Sequence, residues 1–181
     1  MEERFISVEI KGIVPLLQHR YPDEDGEKKS TRAVGAHTEK SIDEATKALY
    51  RLPDGKCYIP ASHIEGALMK AASNFQIAGK RKKTFKDLVK SSIFVEPEAL
   101  ILSNQKWTID KRAVVVPATR GRVIRCRPRF DEWGTSFKIR VTDDSFPTET
   151  LKEILDYAGK AVGIGDFRPR YGRFIVTKFK E

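Results

Sequence analysis

Cysteine, histidine and methionine are scarce in this 181-residue chain, which holds two, three and two of them. Cys57 and Cys126 stand far apart and outside any Cys-x-x-Cys or Cys/His cluster, which excludes a disulfide framework and a structural zinc site. That usage fits a reducing compartment, and a cytoplasmic location is expected. The acidic residues have no paired spacing for a metal site or an acid/base pair, so no metal or other cofactor is expected. No apolar run approaches the ~18 residues of a membrane span. The first residues, MEERFISVEIKG, lack the basic-then-apolar layout of a signal peptide. Gly163-Ile164-Gly165 has no third glycine at dinucleotide-fingerprint spacing, and it follows a predicted helix and precedes a strand, the reverse of a Rossmann turn.

Positive charge is what the chain has in excess: 34 Lys+Arg against 25 Asp+Glu, a formal +9 and a pI of about 9.6. Residues 1–60 carry 10 basic and 11 acidic side chains, so the later two thirds hold a surplus of +10. A surplus so placed selects a polyanion as partner. The length predicts one domain over 1–181, able to bury roughly 70% of its unfolded surface.

Ile6, Val8 and Ile10 alternate with Ser7, Glu9 and Lys11, the period of a half-buried strand over 5–13. Residues 21–41, rich in Pro, Asp, Glu, Gly, Lys and Ser, read as a long mobile loop. Ser62-x-x-Glu65 has capping-box spacing ahead of Ile64, Leu68 and Phe75, which predicts a helix over 62–75. The stretch 79–90 carries six basic side chains against one acid, with Phe85, Leu88 and Val89 to anchor a short second helix. Residues 79–117 read as an insertion whose apolar runs, IFVEPEALIL and AVVVP, are candidate strands that Pro97 and Pro117 restrict to edges or ends. Segments 122–130 and 135–142 alternate on either side of Trp133-Gly134 and predict an antiparallel hairpin, with Ile124, Cys126, Phe130, Phe137, Ile139 and Val141 facing the core. A further amphipathic helix over 148–161, with Thr150 and Glu153 at capping-box spacing, leads through a glycine- and arginine-rich turn to a last strand at 174–180. The order strand, helix, strand, strand, helix, strand is the βαββαβ unit of an α+β ferredoxin-like fold, the architecture of RNA-recognition domains.

On that hairpin Arg125, Arg127, Arg129, Lys138 and Arg140 would share one face, a planar cationic surface whose charges repel unless an anion neutralises them. Arginine adds bidentate phosphate bonding and stacking. The 163–173 turn supplies Arg168, Arg170 and Arg173 with glycine-freed backbone N–H groups, suited to a phosphodiester backbone. Of the aromatic residues, Phe167 and Tyr171, between arginines in a loop, are the candidates for stacking on bases.

Two segments resemble a known family. CYIPASHIEGALMKAA (57–72) resembles the Ile-Pro-Gly-Ser-Ser-hydrophobic-Lys-Gly-hydrophobic-hydrophobic-Arg segment of RAMP proteins, especially the backbone subunits of CRISPR effector complexes. LYRLPDGKCYIP ahead of it resembles the strand, turn and strand that lead into the family's helix, and GIGDFRPRYGRF (163–174) resembles the family's glycine-rich loop before a final strand. The resemblance implies a ferredoxin-like core that binds single-stranded guide RNA through its phosphates, non-catalytic, with low sequence specificity, assembling beside further copies or other effector subunits. By position it carries over Ser62 and His63 at the helix start, and Gly163, Gly165, Gly172 and Arg173 in the loop. The resemblance makes the long 21–41 segment a candidate for the family's thumb loop, with a protein-contact loop as the alternative that Asp23-Glu24-Asp25 favours. Departures are Ala61 for a glycine, Glu65 at the basic position and Met69 for the arginine, with Lys70 adjacent. The aspartate that RNA-cutting subunits carry falls near Thr46, with Asp43 and Glu44 only close by, so cleavage does not transfer.

The expected RNA contacts are therefore Ser62, His63, Lys70, the Lys80, Arg81, Lys82, Lys83 cluster, Arg125, Arg127, Arg129, Lys138, Arg140, and Gly163, Gly165, Arg168, Arg170, Gly172 and Arg173. The alternatives are a metal-independent processing endoribonuclease using His19 or His63 near a 2′-hydroxyl, a single-stranded-DNA binder, and a subunit whose basic face meets an acidic protein.

Overall fold

The computed structural model describes residues 3–21, 38–80, 82–115 and 120–181. In chain order it has β1 (Arg4–Gly12), β2 (Leu16–Leu17), α1 (Thr38–Lys47), β3 (Tyr58–Pro60), α2 (Ala61–Ala72), α3 (Lys86–Ser92), β4 (Ile93–Glu96), β5 (Ala99–Ile101), β6 (Thr108–Val115), β7 (Arg122–Phe130), β8 (Gly134–Val141), α4 (Thr148–Tyr157) with a π-helical turn over Ala158–Val162, and β9 (Phe174–Lys180). The fold is α+β and ferredoxin-like. Its main sheet has the order β4-β8-β1-β9 and every pairing in it is antiparallel.

Alternation along β1 buries Ile6, Val8 and Ile10, which meet Phe137, Ile139 and Val141 of β8 on the same face. Ile64, Ala67, Leu68 and Ala71 of α2 and Leu151, Ile154 and Leu155 of α4 join these in one core. The other face of the sheet carries Ser7, Glu9, Lys138 and Lys178. A three-stranded sheet, β2-β7-β6, and a β3-β5 pair complete the described residues.

Five expectations are corrected here. The predicted hairpin of 122–130 with 135–142 does not form: β7 pairs with β6 and β2, whereas β8 pairs with β1 and β4. The chain changes sheets at Trp133, whose carbonyl accepts from Gly12 N–H at 2.8 Å and whose indole N–H donates to Val14 O at 2.8 Å. Trp133 is thus a buried pivot, and Ile124, assigned to the core, is 43% exposed. The second core strand is β4, so 79–117 is only partly an insertion; the edge position of β4, followed directly by Pro97, is the one the proline allows.

Neither capping box forms, because Pro60 and Pro147 occupy the N-cap positions of α2 and α4 with no side-chain cap. The Glu65 carboxylate instead accepts the Val95 N–H at 2.9 Å and ties α2 to β4. Finally, residues 38–41 open helix α1, which buries Ser41, Ala45, Ala48 and Leu49 at or just beyond its inner face. The rest of the expected long loop, 22–37, lies outside the described residues, as do His37, Arg81 and Pro117.

Candidate nucleic-acid interface

The glycine- and arginine-rich loop is built by close backbone contact. Ile164 N–H donates to Gly172 O at 2.9 Å, Gly172 N–H to Pro15 O at 2.8 Å and Asp166 N–H to Leu17 O at 2.8 Å, which staples the loop to the strand after β1. A Cβ at Gly172 would stand 1.7 Å from Ile164 O, and one at Gly165 would stand 2.4 Å from Leu17 O; both residues have φ above +70°. The glycines are there because nothing larger fits. The N–H groups of Gly163, Ile164, Asp166 and Gly172, expected to be free for a phosphate, are bonded within the protein itself.

The arginines of β7 meet a similar fate. Arg127 contacts the Asp166 carboxylate, Arg125 lies 3.5 Å from Glu44 of α1, and Arg129 binds Asp131 at 2.7 Å with Asp110 at 3.9 Å. On the main sheet Arg140 pairs with Glu96 at 2.9 Å and Glu3 at 3.1 Å, while Lys138 has no ion-pair partner among the described residues. The expected single cationic plate is therefore corrected on two counts: its members lie on two sheets, and four of the five have carboxylate neighbours. The physical cause is the repulsion that made the pattern conspicuous. Stacked guanidinium groups require anions, and folding supplies Asp110, Asp166 and Glu44 before any ligand arrives.

Across β6, Asp110 stands opposite Arg127 in register. Asp110 binds Arg112 twice, at 2.6 and 2.9 Å, and the Arg112 guanidinium also donates to the Tyr171 hydroxyl. These bonds hold the guanidinium firmly protonated. The Arg112 Cζ lies 4.7 Å from the Tyr171 ring centroid and 5.8 Å from that of Phe167, and the Arg127 Cζ lies 5.0 Å from Phe167. Tyr171 is buried, whereas Phe167 is 39% exposed. Arg112 and Asp110 escaped sequence reasoning; the Asp-x-Arg step on β6, complementary to alternating arginines on β7, was the available signal.

One corner gathers several of the expected residues. The buried Gln18 bridges Tyr58 O, to which it donates at 2.8 Å, and Tyr50 N–H, from which it accepts at 3.0 Å. Beside it His19 stands within electrostatic range of Asp166, Arg127, Arg125 and Glu44, and burial lowers its pKa although Asp166 pulls the other way. At the start of α2, His63 meets the Tyr50 ring edge-on at 5.3 Å between centroids. Burial first, and the Arg168 charge second, lower its pKa too. Ser62 is exposed next to it, and Arg168 and Arg170 are exposed with no carboxylate partner among the described residues.

Other expected residues lie apart. Lys70 is in the last turn of α2, about 12 Å along the axis from Ser62 at 1.5 Å per residue. Lys80, Lys82 and Lys83 are exposed in the turn that follows that helix. Lys138 lines a hollow of about 660 Å³ on the main sheet with Glu96 and Lys178, and a second hollow of about 810 Å³ adjoins Trp133; neither touches the corner. Among the described residues no group of His, Cys, Asp and Glu could hold a metal ion, and no helix is long and apolar enough to cross a membrane.

No protein-family model matches the chain, and no curated protein matches it by sequence. Solved structures do: 92 chains are similar to it. One belongs to the cryo-EM structure of the Type III-B Cmr-beta bound to cognate target RNA, with a TM-score of 0.57 at 12% identity. The two share a fold. The likeness covers 99% of this chain and 60% of that one, so this chain spans less than two thirds of its length.

Proposed function

We propose that this protein is a RAMP-like, non-catalytic RNA-binding subunit of a CRISPR effector assembly, gripping single-stranded guide RNA through backbone phosphates with low sequence specificity. One observation carries the reading: a fold likeness over 99% of the chain to a chain of an RNA-bound Type III-B Cmr-beta, in a protein whose two RAMP-like segments meet where His63 feels the charge of Arg168. The grip centres on that corner rather than on a sheet. Arg168 and Arg170 supply charge not already spent, and Ser62 stands at a helix start, where the dipole favours an anion. Arg127 serves by seating the loop through Asp166, while Arg125 and Arg129 are paired with Glu44, Asp131 and Asp110. Lys70, Lys80, Lys82, Lys83 and Lys138 lie apart from that corner and offer separate positive points for a longer strand, and Arg81 lies outside the described residues. Other copies or effector subunits on the same RNA, in the cytoplasm and in antiviral defence, complete the proposal.

A second reading, a metal-independent endoribonuclease, is favoured by His19 and His63 at the same corner, both held toward the neutral form that a general base requires. Anisotropy with labelled single-stranded RNA tests both. Affinity is expected to fall roughly tenfold or more between 50 and 200 mM salt, as for about three phosphate contacts on a single strand. Replacing Arg168 and Arg170 by alanine should weaken binding and flatten that dependence. Binding that is absent, or indifferent to salt, overturns the proposal. The RNA should stay intact across pH and added metals; cleavage abolished by His19→Ala with affinity retained would establish the second reading instead.

A further inference from the structure

We propose that Phe167 is a stacking platform for an unpaired nucleobase, so that the loop holds a nucleotide by its base as well as by its phosphate; this rests on the RNA-binding reading and deepens it. Phe167 is the one loop aromatic that the fold does not use as filling. Tyr171 is 9% exposed and accepts a hydrogen bond from Arg112, Phe174 is fully buried, and Phe167 is 39% exposed. Its position is nevertheless determined. It adopts φ +55°, a conformation that bulky side chains rarely accept. Its N–H donates to the Asp166 carboxylate at 2.9 Å and its carbonyl accepts from Tyr171 N–H at 3.2 Å. The staples to Pro15 and Leu17 hold the segment on either side.

Two guanidinium groups, those of Arg127 and Arg112, lie 5.0 and 5.8 Å from the ring centroid and help to fix the ring. Their charges are met by Asp166 and Asp110, so they fix the aromatic without competing for the ligand. The uncompensated charges come next in the chain, at Arg168 and Arg170, both exposed. A nucleotide is a flat apolar ring joined to an anion, and an exposed phenyl ring followed by two free guanidinium groups is its complement. Since every base has a π-face, such a platform demands an unpaired base without reading which one.

Anisotropy of the full chain with a labelled single-stranded oligoribonucleotide, and with an oligomer of equal length whose sugar-phosphate backbone carries no bases, tests the inference. The wild type is expected to prefer the base-bearing strand about tenfold. Phe167→Ala and Phe167→Leu should each lose that preference while keeping the salt dependence, and Phe167→Trp should retain it, with added emission quenched by the base-bearing strand alone. Equal affinity of the wild type for the two strands, or a preference that survives in both truncated variants, overturns the platform and leaves the RNA-binding reading standing. Failure of the wild type to bind either strand overturns both. Should the truncated variants not fold, the Phe167→Trp quenching decides alone: no difference between strands overturns the platform.

Discussion

A methyl group at Gly172 would stand 1.7 Å from the carbonyl oxygen of Ile164, whose own N–H bonds back to Gly172 O, so neither side of the contact can yield. The residue also holds φ +72°. Gly172→Ala is expected to destabilise the protein by about 3 kcal/mol or more, since close overlap adds to a left-handed conformation costing 1–3 kcal/mol. Gly66 is the opposite case: it lies inside α2, and a Cβ there meets nothing within 4 Å. Gly66→Ala should stabilise by about 0.5–1 kcal/mol through helix propensity alone. Urea midpoints of the two variants moving in opposite directions would check both. The same loop glycines are legible in sequence as a motif, but their reason is not, because the oxygens they avoid belong to residues from 8 (Ile164 for Gly172) to 148 (Leu17 for Gly165) positions away.

At the scale of elements, α2 shows how a correct helix can be placed by an incorrect argument. Its apolar spacing was readable, and Ile64, Leu68 and Ala71 are indeed buried. The capping box was not the cause, because Pro60 fixes the start and Glu65 reaches across to Val95 N–H instead. Two substitutions separate these roles. Ser62→Ala should change stability by less than about 0.5 kcal/mol, where a working N-cap would lose about 1. Glu65→Ala should cost about 1–3 kcal/mol by leaving a strand N–H unsatisfied. Chemical denaturation reads both, and a large loss at Ser62 would restore the cap. Strand β4 is legible as an apolar run that Pro97 holds to an edge, but its place in the main sheet rather than in an insertion is not, because that depends on its pairing with the distant β8. Helix α1 escaped because its polar outer face carries the composition of a loop, although Ala45, Ala48 and Leu49 follow Ser41 at helical spacing. Strand β7 was recognised and misassigned, since alternation states which way side chains point and not which neighbour they meet.

For the molecule as a whole, the proposed role requires several subunits per strand. Light scattering after gel filtration should show mass rising in subunit steps as single-stranded RNA lengthens; one subunit per strand at every length would remove the assembly part of the proposal. The sequence determined the α+β class, the first strand, both core helices and the last two core strands, the excess of basic charge and two short segments that resemble a known family, because periodicity, composition and short motifs are local properties of a chain. Tertiary structure alone decided that β4 and not β7 completes the main sheet, that the loop docks on the arginine face of β7, and that Asp110, Asp166 and Glu44 neutralise that face. Each of those outcomes depends on which distant segments come within a few ångströms of one another. Net charge is summed along a sequence, but the charge a ligand meets is set by which carboxylates the fold has already brought alongside each guanidinium.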